Sequence, residues 1–397
     1  MPIDQASEPL PNKNSEPAGP LTLSVSSNVR DVLSDWTELE RLGLPSLYQR
    51  HEWITAWNEE LNSSSHLSPA FVLGERDNKT LFLLPLGIRR LGPATLVEWL
   101  ADSHSNYQTG LFSPEFIAAS GATTMQDLLN DISSKFGGVD LFSLRCQPTK
   151  LAGERNPMTH LRHYTSSNPA FTLDLTGGFS AALDRIGGAR RRKKYRKQIN
   201  RIGGEEHVAL RVAQTPQDVE EMLDEAFQHI EQRFRKLGIF NVFEEPGAQS
   251  FFKRLATQSL TLQEPLLRVF ALEIDGKMRA SLSGGVAAGQ FSGCFLSLSE
   301  DDYAQYSPGD LLLYKVAEHC AKQGLTSFDL GRGEERYKLS WTNRTVDMID
   351  VVVPMTALGH SLAALQRGKS EAKRLVRNNQ SLWQVAKKVR AGLRRAV

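Results

Sequence analysis

Three stretches of this sequence carry residue types at spacings that could do chemistry. The first is Tyr306-Ser307-Pro308-Gly309-Asp310-Leu311-Leu312-Leu313. Proline and glycine stand where a helix would begin, straight after a strand-like run. A helix start offers unbonded N–H groups and the positive end of the helix dipole, and glycine lets a phosphate approach the backbone. Ser307, Pro308, Gly309, Asp310 and Leu311 are therefore the candidate pyrophosphate site, although an ordinary helix cap would use the same residues. The second stretch is SFDLGRGEERYKLSW, residues 327–341. Asp329 ends an apolar run, and Arg332, Glu334, Arg336, Tyr337 and Lys338 crowd the loop after it, flanked by Gly331 and Gly333. Polar density at a strand end suits a reaction site, and equally a solvated, salt-bridged loop. The third stretch is GARRRKKYRKQINRI, residues 188–202. Arg190, Arg191, Arg192, Lys193, Lys194, Arg196 and Lys197 have no acid between them. Like charges one helical turn apart repel, so such a helix points to an anionic partner rather than to a solvated face.

Composition narrows that partner. The 397 residues include 47 basic and 45 acidic side chains, a net charge of +2. The basic run is thus a local patch on a neutral chain, which counts against a dedicated nucleic-acid binder. Cys146, Cys294 and Cys320 form no C-x-x-C pair, so neither a disulfide framework nor a structural zinc site is expected, and the thiols read as those of a reduced, cytoplasmic protein. His160 and His163 lack a third ligand, and no metal is expected. Arg367-Gly368-Lys369-Ser370 looks like the end of a phosphate loop, but Ala363 stands where that loop needs glycine.

The elements that must position these motifs are read from periodicity. Residues 1–20 read as a disordered tail with no secretory signal. Residues 21–176 mix strands and helices, ending on a strand at 169–175. A single helix is expected over 179–202. Thr215, Pro216 and Asp218 mark the start of another helix. Three antiparallel strands come next, turning at Asp275-Gly276 and Gly289-Gln290. A helix from about Pro308 to Gln323 is stopped by Gly324, and residues 346–354 close this second sheet. In the tail, Leu382, Val385, Val389 and Leu393 share a face surrounded by Lys387, Lys388, Arg390, Arg394 and Arg395. That is the form of a helix lying on anionic lipid, or of a tail docked on the protein; the first alternative would set a cytoplasmic chain against the inner face of the membrane. The longest apolar run, 81–88, is broken by Pro85 and falls far short of the roughly 20 residues that cross a bilayer.

The three motifs in this order resemble the CelD/BcsL-type acetyltransferases of the GNAT superfamily, relatives of the Fem-type aminoacyltransferases. The likeness runs from about Leu21 to Pro354 and is strongest from Gly187 to Trp341. It implies an α+β fold of tandem GNAT-like (acyl-CoA N-acyltransferase) domains, residues 21–176 and 177–356, with mixed, centrally antiparallel sheets and a basic amphipathic helical tail over 357–397. It implies acetyl-CoA or another acyl-CoA as co-substrate, and an amine or hydroxyl of a sugar, polysaccharide or lipid-linked precursor as acceptor. Backbone N–H groups over 296–299 would hold the thioester carbonyl. Asp329 or Glu334 would be the base and Tyr337 the acid for the leaving thiolate. Arg191, Arg192, Lys194, Arg332 and Lys338 would hold the acceptor. The phosphate loop departs from the family's Q/R-x-x-G-x-G/A: Gly309 lies one residue further from Gln305 than the pattern has it, and Asp310 stands where a small residue is usual. An aminoacyl-tRNA donor and a non-catalytic binder of a phosphorylated ligand stay open.

Overall fold

The computed structural model describes residues 19–43 and 46–378. The expected tail segments at 1–18 and 379–397, including the basic amphipathic face, lie outside the described residues.

Strands whose central members are buried on both faces build two mixed sheets, beside a small hairpin of Lys150–Leu151 and Glu154–Arg155. The first has the order Thr22–Ser26, Ser68–Arg76, Lys79–Leu91, Ala94–Trp99, Leu141–Pro148, Met348–Pro354, His163–Thr165, with Leu111–Phe112 alongside the third strand. The second has the order Val208–Val212, Arg268–Ile274, Lys277–Ala287, Gln290–Leu298, Ser327–Arg332, Ala170–Asp174, Arg344–Val346. Each sheet contains one parallel pair among the described residues, Ala94–Trp99 with Leu141–Pro148 and Gln290–Leu298 with Ser327–Arg332. Each half runs strand, two main helices, three antiparallel strands, helix, parallel strand. The α+β class with centrally antiparallel sheets is therefore the architecture found.

Two strands cross between the halves. Met348–Pro354, expected to close the second sheet, pairs with Leu141–Pro148 in the first. Ala170–Asp174, expected in the first half, pairs with Ser327–Arg332 in the second. Both strands are apolar enough for either sheet, so their pattern does not encode which one takes them. The helices Leu33–Leu42 and His51–Glu60 of the first half share one core with Pro216–Leu237 and Ala248–Ser259 of the second. At its centre Trp53 meets Phe251 edge-on, with ring centres 5.3 Å apart. Arg254 at the rim pairs with Glu60 at 3.0 Å and also with Glu59.

Local signals explain most boundaries. Pro216–Leu237 starts with a complete capping box of Thr215 and Asp218 and stops at Gly238, whose φ is +65°. The hairpin turns fall at Asp275-Gly276 and Ala288-Gly289, both residues of each having positive φ, one position earlier than expected for the second. The single helix expected over 179–202 is two, Gly178–Arg185 and Gly188–Ile202. Gly187 at φ +84° breaks it, a left-handed kink that glycine adopts without strain.

Candidate functional site

The parallel pair of the second sheet is short. Gln290, Phe291 and Ser292 pair with Ser327, Phe328 and Asp329, and the pairing stops there. Gln290–Leu298 stays paired to Lys277–Ala287 as far as Leu298, while Ser327–Arg332 turns to Ala170–Asp174. The two strands therefore part into a slot. On one face Phe291 and Phe328 stack, centres 5.3 Å apart, in the core that holds helix Pro308–Lys322. On the other face stand Cys294 and Asp329, against the first half.

Asp329 is wholly buried. Its Oδ1 accepts the Gly331 N–H at 2.7 Å, and the Tyr107 hydroxyl lies against it. Burial pushes its carboxyl from 3.8 up to about 6, against the pull of those two donors and of the Lys338 charge. Arg332, its nearest candidate partner in sequence, turns away: it donates to the Ser105 carbonyl at 2.9 Å and reaches Cys146 Sγ. Tyr48 and Tyr107 are held well above the usual phenol range, first by burial and then by charges that include the Asp329 carboxylate. Burial likewise pushes the Cys294 thiol up to about 12, so it is no thiolate nucleophile. Asn106 donates to Tyr48 Oη at 2.8 Å and to the Gly293 carbonyl at 3.0 Å. Tyr48, Asn106, Tyr107 and Cys294 thus join the site although sequence reasoning passed over them. Three come from a half that carries none of the motifs, and SHSNYQTG, residues 103–110, has no charged group to attract notice.

The other expected site residues divide. Glu334 is exposed on the loop before helix Arg336–Trp341, and Tyr337 on that helix is 37% exposed. Lys338 is buried; it donates to the Arg332 carbonyl and pairs with Glu335 at 3.0 Å. Arg332 and Lys338, expected to hold the acceptor, are thus committed to fastening the loop. Within the expected 296–299 window, the Ser299 N–H is already used by the Arg279 carbonyl at 2.9 Å.

Helix Pro308–Lys322 begins where expected, with Pro308 in its first turn and Ser307 at φ +57°. Leu311 is wholly buried beneath it, and a Cβ on Gly309 would lie 2.9 Å from the Leu298 side chain. Asp310 carries three donors: Trp341 Nε1 at 2.8 Å, Arg191 at 3.2 Å and Lys194 at 3.0 Å. Two cations against one carboxylate leave this helix start a net positive charge, which fits a phosphate group. The basic helix Gly188–Ile202 splits by face. Arg191 is buried, lies 4.1 Å over the Trp341 ring and donates to the Ser340 carbonyl. Burial lowers its guanidinium's affinity for the proton, and Asp310 opposes that. Arg192 pairs with Asp184 at 2.8 Å. Arg191, Arg192 and Lys194, expected to hold an acceptor, instead brace the helix starts. Arg190, Lys193, Arg196 and Lys197 are exposed and have no ion-pair partner among the described residues.

Residues 189–339 match the family described as "Acetyltransferase (GNAT) domain". That span starts in the basic helix and ends in helix Arg336–Trp341, so it contains the slot and both loops. No curated protein matches the sequence. Among solved structures, the C-terminal domain of a putative lysylphosphatidylglycerol synthetase from Agrobacterium fabrum is similar at TM-score 0.51 and 13% identity, over 85% of this chain and 95% of that one. FemX is similar at TM-score 0.53 and 10% identity, over 78% of this chain and 93% of that one. A conserved protein of unknown function from Bacteroides thetaiotaomicron VPI-5482 is similar at TM-score 0.51 and 13% identity, over 81% of this chain and 97% of that one. The likeness to a GNAT acetyltransferase domain falls on residues 189–339, and the three solved structures share the fold of the chain. Among the described residues, no helix is long and apolar enough to cross a membrane.

Proposed function

We propose that the protein moves an acetyl or other acyl group from acyl-CoA to an amine or hydroxyl of a cell-surface polysaccharide or its lipid-linked precursor. The observation that carries acyl transfer is the slot that opens where the Ser292–Asp329 pairing ends, with a buried carboxyl of raised pKa at its closed end. A thioester lying in the slot would direct its carbonyl at those backbone N–H groups of residues 294–298 that face the slot and not Lys277–Ala287, which stabilise the tetrahedral oxyanion. Asp329, with a pKa near 6, is ionised at neutral pH and yet basic enough to take the proton from the attacking amine or hydroxyl. Tyr337 is the candidate proton donor to the departing thiolate, and exposed Glu334 the alternative base at the mouth. The CoA pyrophosphate would lie against Ser307–Gly309, beside the excess charge of Arg191 and Lys194. No covalent enzyme intermediate enters this scheme, consistent with an unreactive Cys294.

The acceptor assignment rests on the resemblance of the motifs and on the basic surface that faces solvent. That same surface, Arg190, Lys193, Arg196 and Lys197, is what favours the second reading, an aminoacyl-tRNA donor. The test is thiol release from acetyl-CoA in the presence of lipid-linked sugar, with and without ribonuclease. Acceptor-dependent, ribonuclease-resistant release supports the acyl-CoA reading, and transfer that needs charged tRNA overturns it. In that assay Tyr337→Phe and Glu334→Gln each lower kcat by about 10²-fold or more if they move protons.

A further inference from the structure

The slot is held open by a residue from the other half of the molecule. In a parallel pair, each carbonyl facing the neighbouring strand is met by that strand's N–H. At Gly293, the first position past the Ser292–Asp329 pair, the carbonyl is met by the Asn106 side-chain amide at 3.0 Å. The same nitrogen donates to Tyr48 Oη at 2.8 Å, and Tyr48 Oη lies 3.7 Å from Cys294 Sγ. On the opposite bank, a Cβ on Gly331 would come within 2.5 Å of the Asn106 amide, and Gly331 has φ +72°. Asn106 therefore touches both strands at the point where they part.

The segment carrying it is fixed on either side. Trp53 Nε1 donates to Ser105 Oγ at 3.1 Å, Arg332 donates to the Ser105 carbonyl at 2.9 Å, and Gln49 Nε2 donates to the Tyr107 carbonyl at 3.1 Å. We propose that Asn106 is a positioning residue for acyl transfer. It replaces the next rung of the ladder with a side-chain amide, stops the strands from closing past Ser292 and Asp329, and so keeps the slot-facing backbone groups of residues 294–298 free while Tyr107, its neighbour, stays against Asp329.

This rests on the acyl-transfer reading, but its most direct test does not need activity. Asn106→Ala removes the wedge, and Asn106→Asp keeps its shape without the N–H donors. Hydrogen exchange of residues 294–298 should become slower in Asn106→Ala than in the wild type, because the strands then pair further. A merely structural residue would give the opposite sign, faster exchange from a loosened site. Both variants should also lose at least about tenfold in kcat/KM for acyl-CoA. Exchange that is unchanged or faster in Asn106→Ala overturns the wedge, whether or not the wild type proves active. If Asn106→Ala does not fold, the isosteric Asn106→Asp decides: full activity in it overturns the proposal. Slowed exchange in a protein that transfers no acyl group keeps the wedge and removes only the reading of what the slot is for.

Discussion

The two halves run through the same elements and end differently at their parallel pairs. In the first half, Leu96 and Val97 pair with Leu141 and Phe142, and beside the strands past that pair lies a cavity lined by Trp99, Glu98, Arg89 and Arg145. The helix Ala122–Lys135 on that side starts at Gly121 with no proline, no acid in its first turn and no side-chain cap. In the second half, the last parallel pair carries Asp329, the helix start carries Pro308 and Asp310, and a basic helix is strapped to it. The second half places a wholly buried carboxyl where the strands part, and the first places there Glu98, which is paired with Arg89 at 2.7 Å. The first half also serves the second, because its segment with Asn106 and Tyr107 lines the slot.

The comparison breaks most sharply at its carboxylates. Asp329→Asn should lower kcat by about 10²- to 10⁴-fold, the range for a lost general base, while Asp140→Asn, at the start of the first half's parallel strand, should change it less than about twofold. Steady-state thiol release checks both. The same Asp329→Asn change should stabilise the fold at neutral pH. A carboxyl raised in the folded state favours folding while protonated, so that stability is present below pH 3.8 and is lost as pH rises through about 6. Above that window the cost of holding the buried charge is about 3 kcal/mol, and urea unfolding of the Asn variant at pH 8 and at pH 4 should show a gain at the first and little at the second.

Smaller effects sharpen the division within the basic helix. Arg191→Ala removes a buried ion pair and a ring contact and should cost about 2 kcal/mol in urea unfolding. Replacing exposed Arg190, Lys193 and Lys197 together by Gln should change stability by less than about 0.5 kcal/mol, or raise it, as repulsion along the helix is relieved. Gly309→Val drives a side chain toward Leu298 at the start of the helix and should weaken CoA about fivefold, near 1 kcal/mol, measured by calorimetry.

Much of this was legible in the sequence. The capping box at Thr215, the glycine stop at Gly238, the proline start at Pro308 and the Asp275-Gly276 turn are local signals, and each lies where its residue types put it. Asp329, expected to end its strand, lies inside it, because the strand Ser327–Arg332 runs three residues further along Ala170–Asp174. What the sequence withheld was non-local. Residues 348–354 and 170–174 satisfy either sheet by pattern, and only the assembled halves decide their exchange. The basic run shows seven cations with no acid among them, but which of them face Asp310 and which face water depends on the helix's orientation and on the break at Gly187. Asn106 and Tyr107 sit nearly 190 and more than 220 residues from the backbone and carboxylate they touch, Gly293 and Asp329, in a loop with no motif.

The central claim is that the Asp329 carboxyl, poised by burial, takes the acceptor's proton. The pH dependence of kcat/KM tests it most directly. The wild type should rise with pH and level off through an apparent pKa near 6, and Asp329→Asn should be both slow and flat across that range. A wild-type profile with no inflection between pH 5 and pH 7, or an Asp329→Asn variant that keeps both the rate and the inflection, would contradict the account.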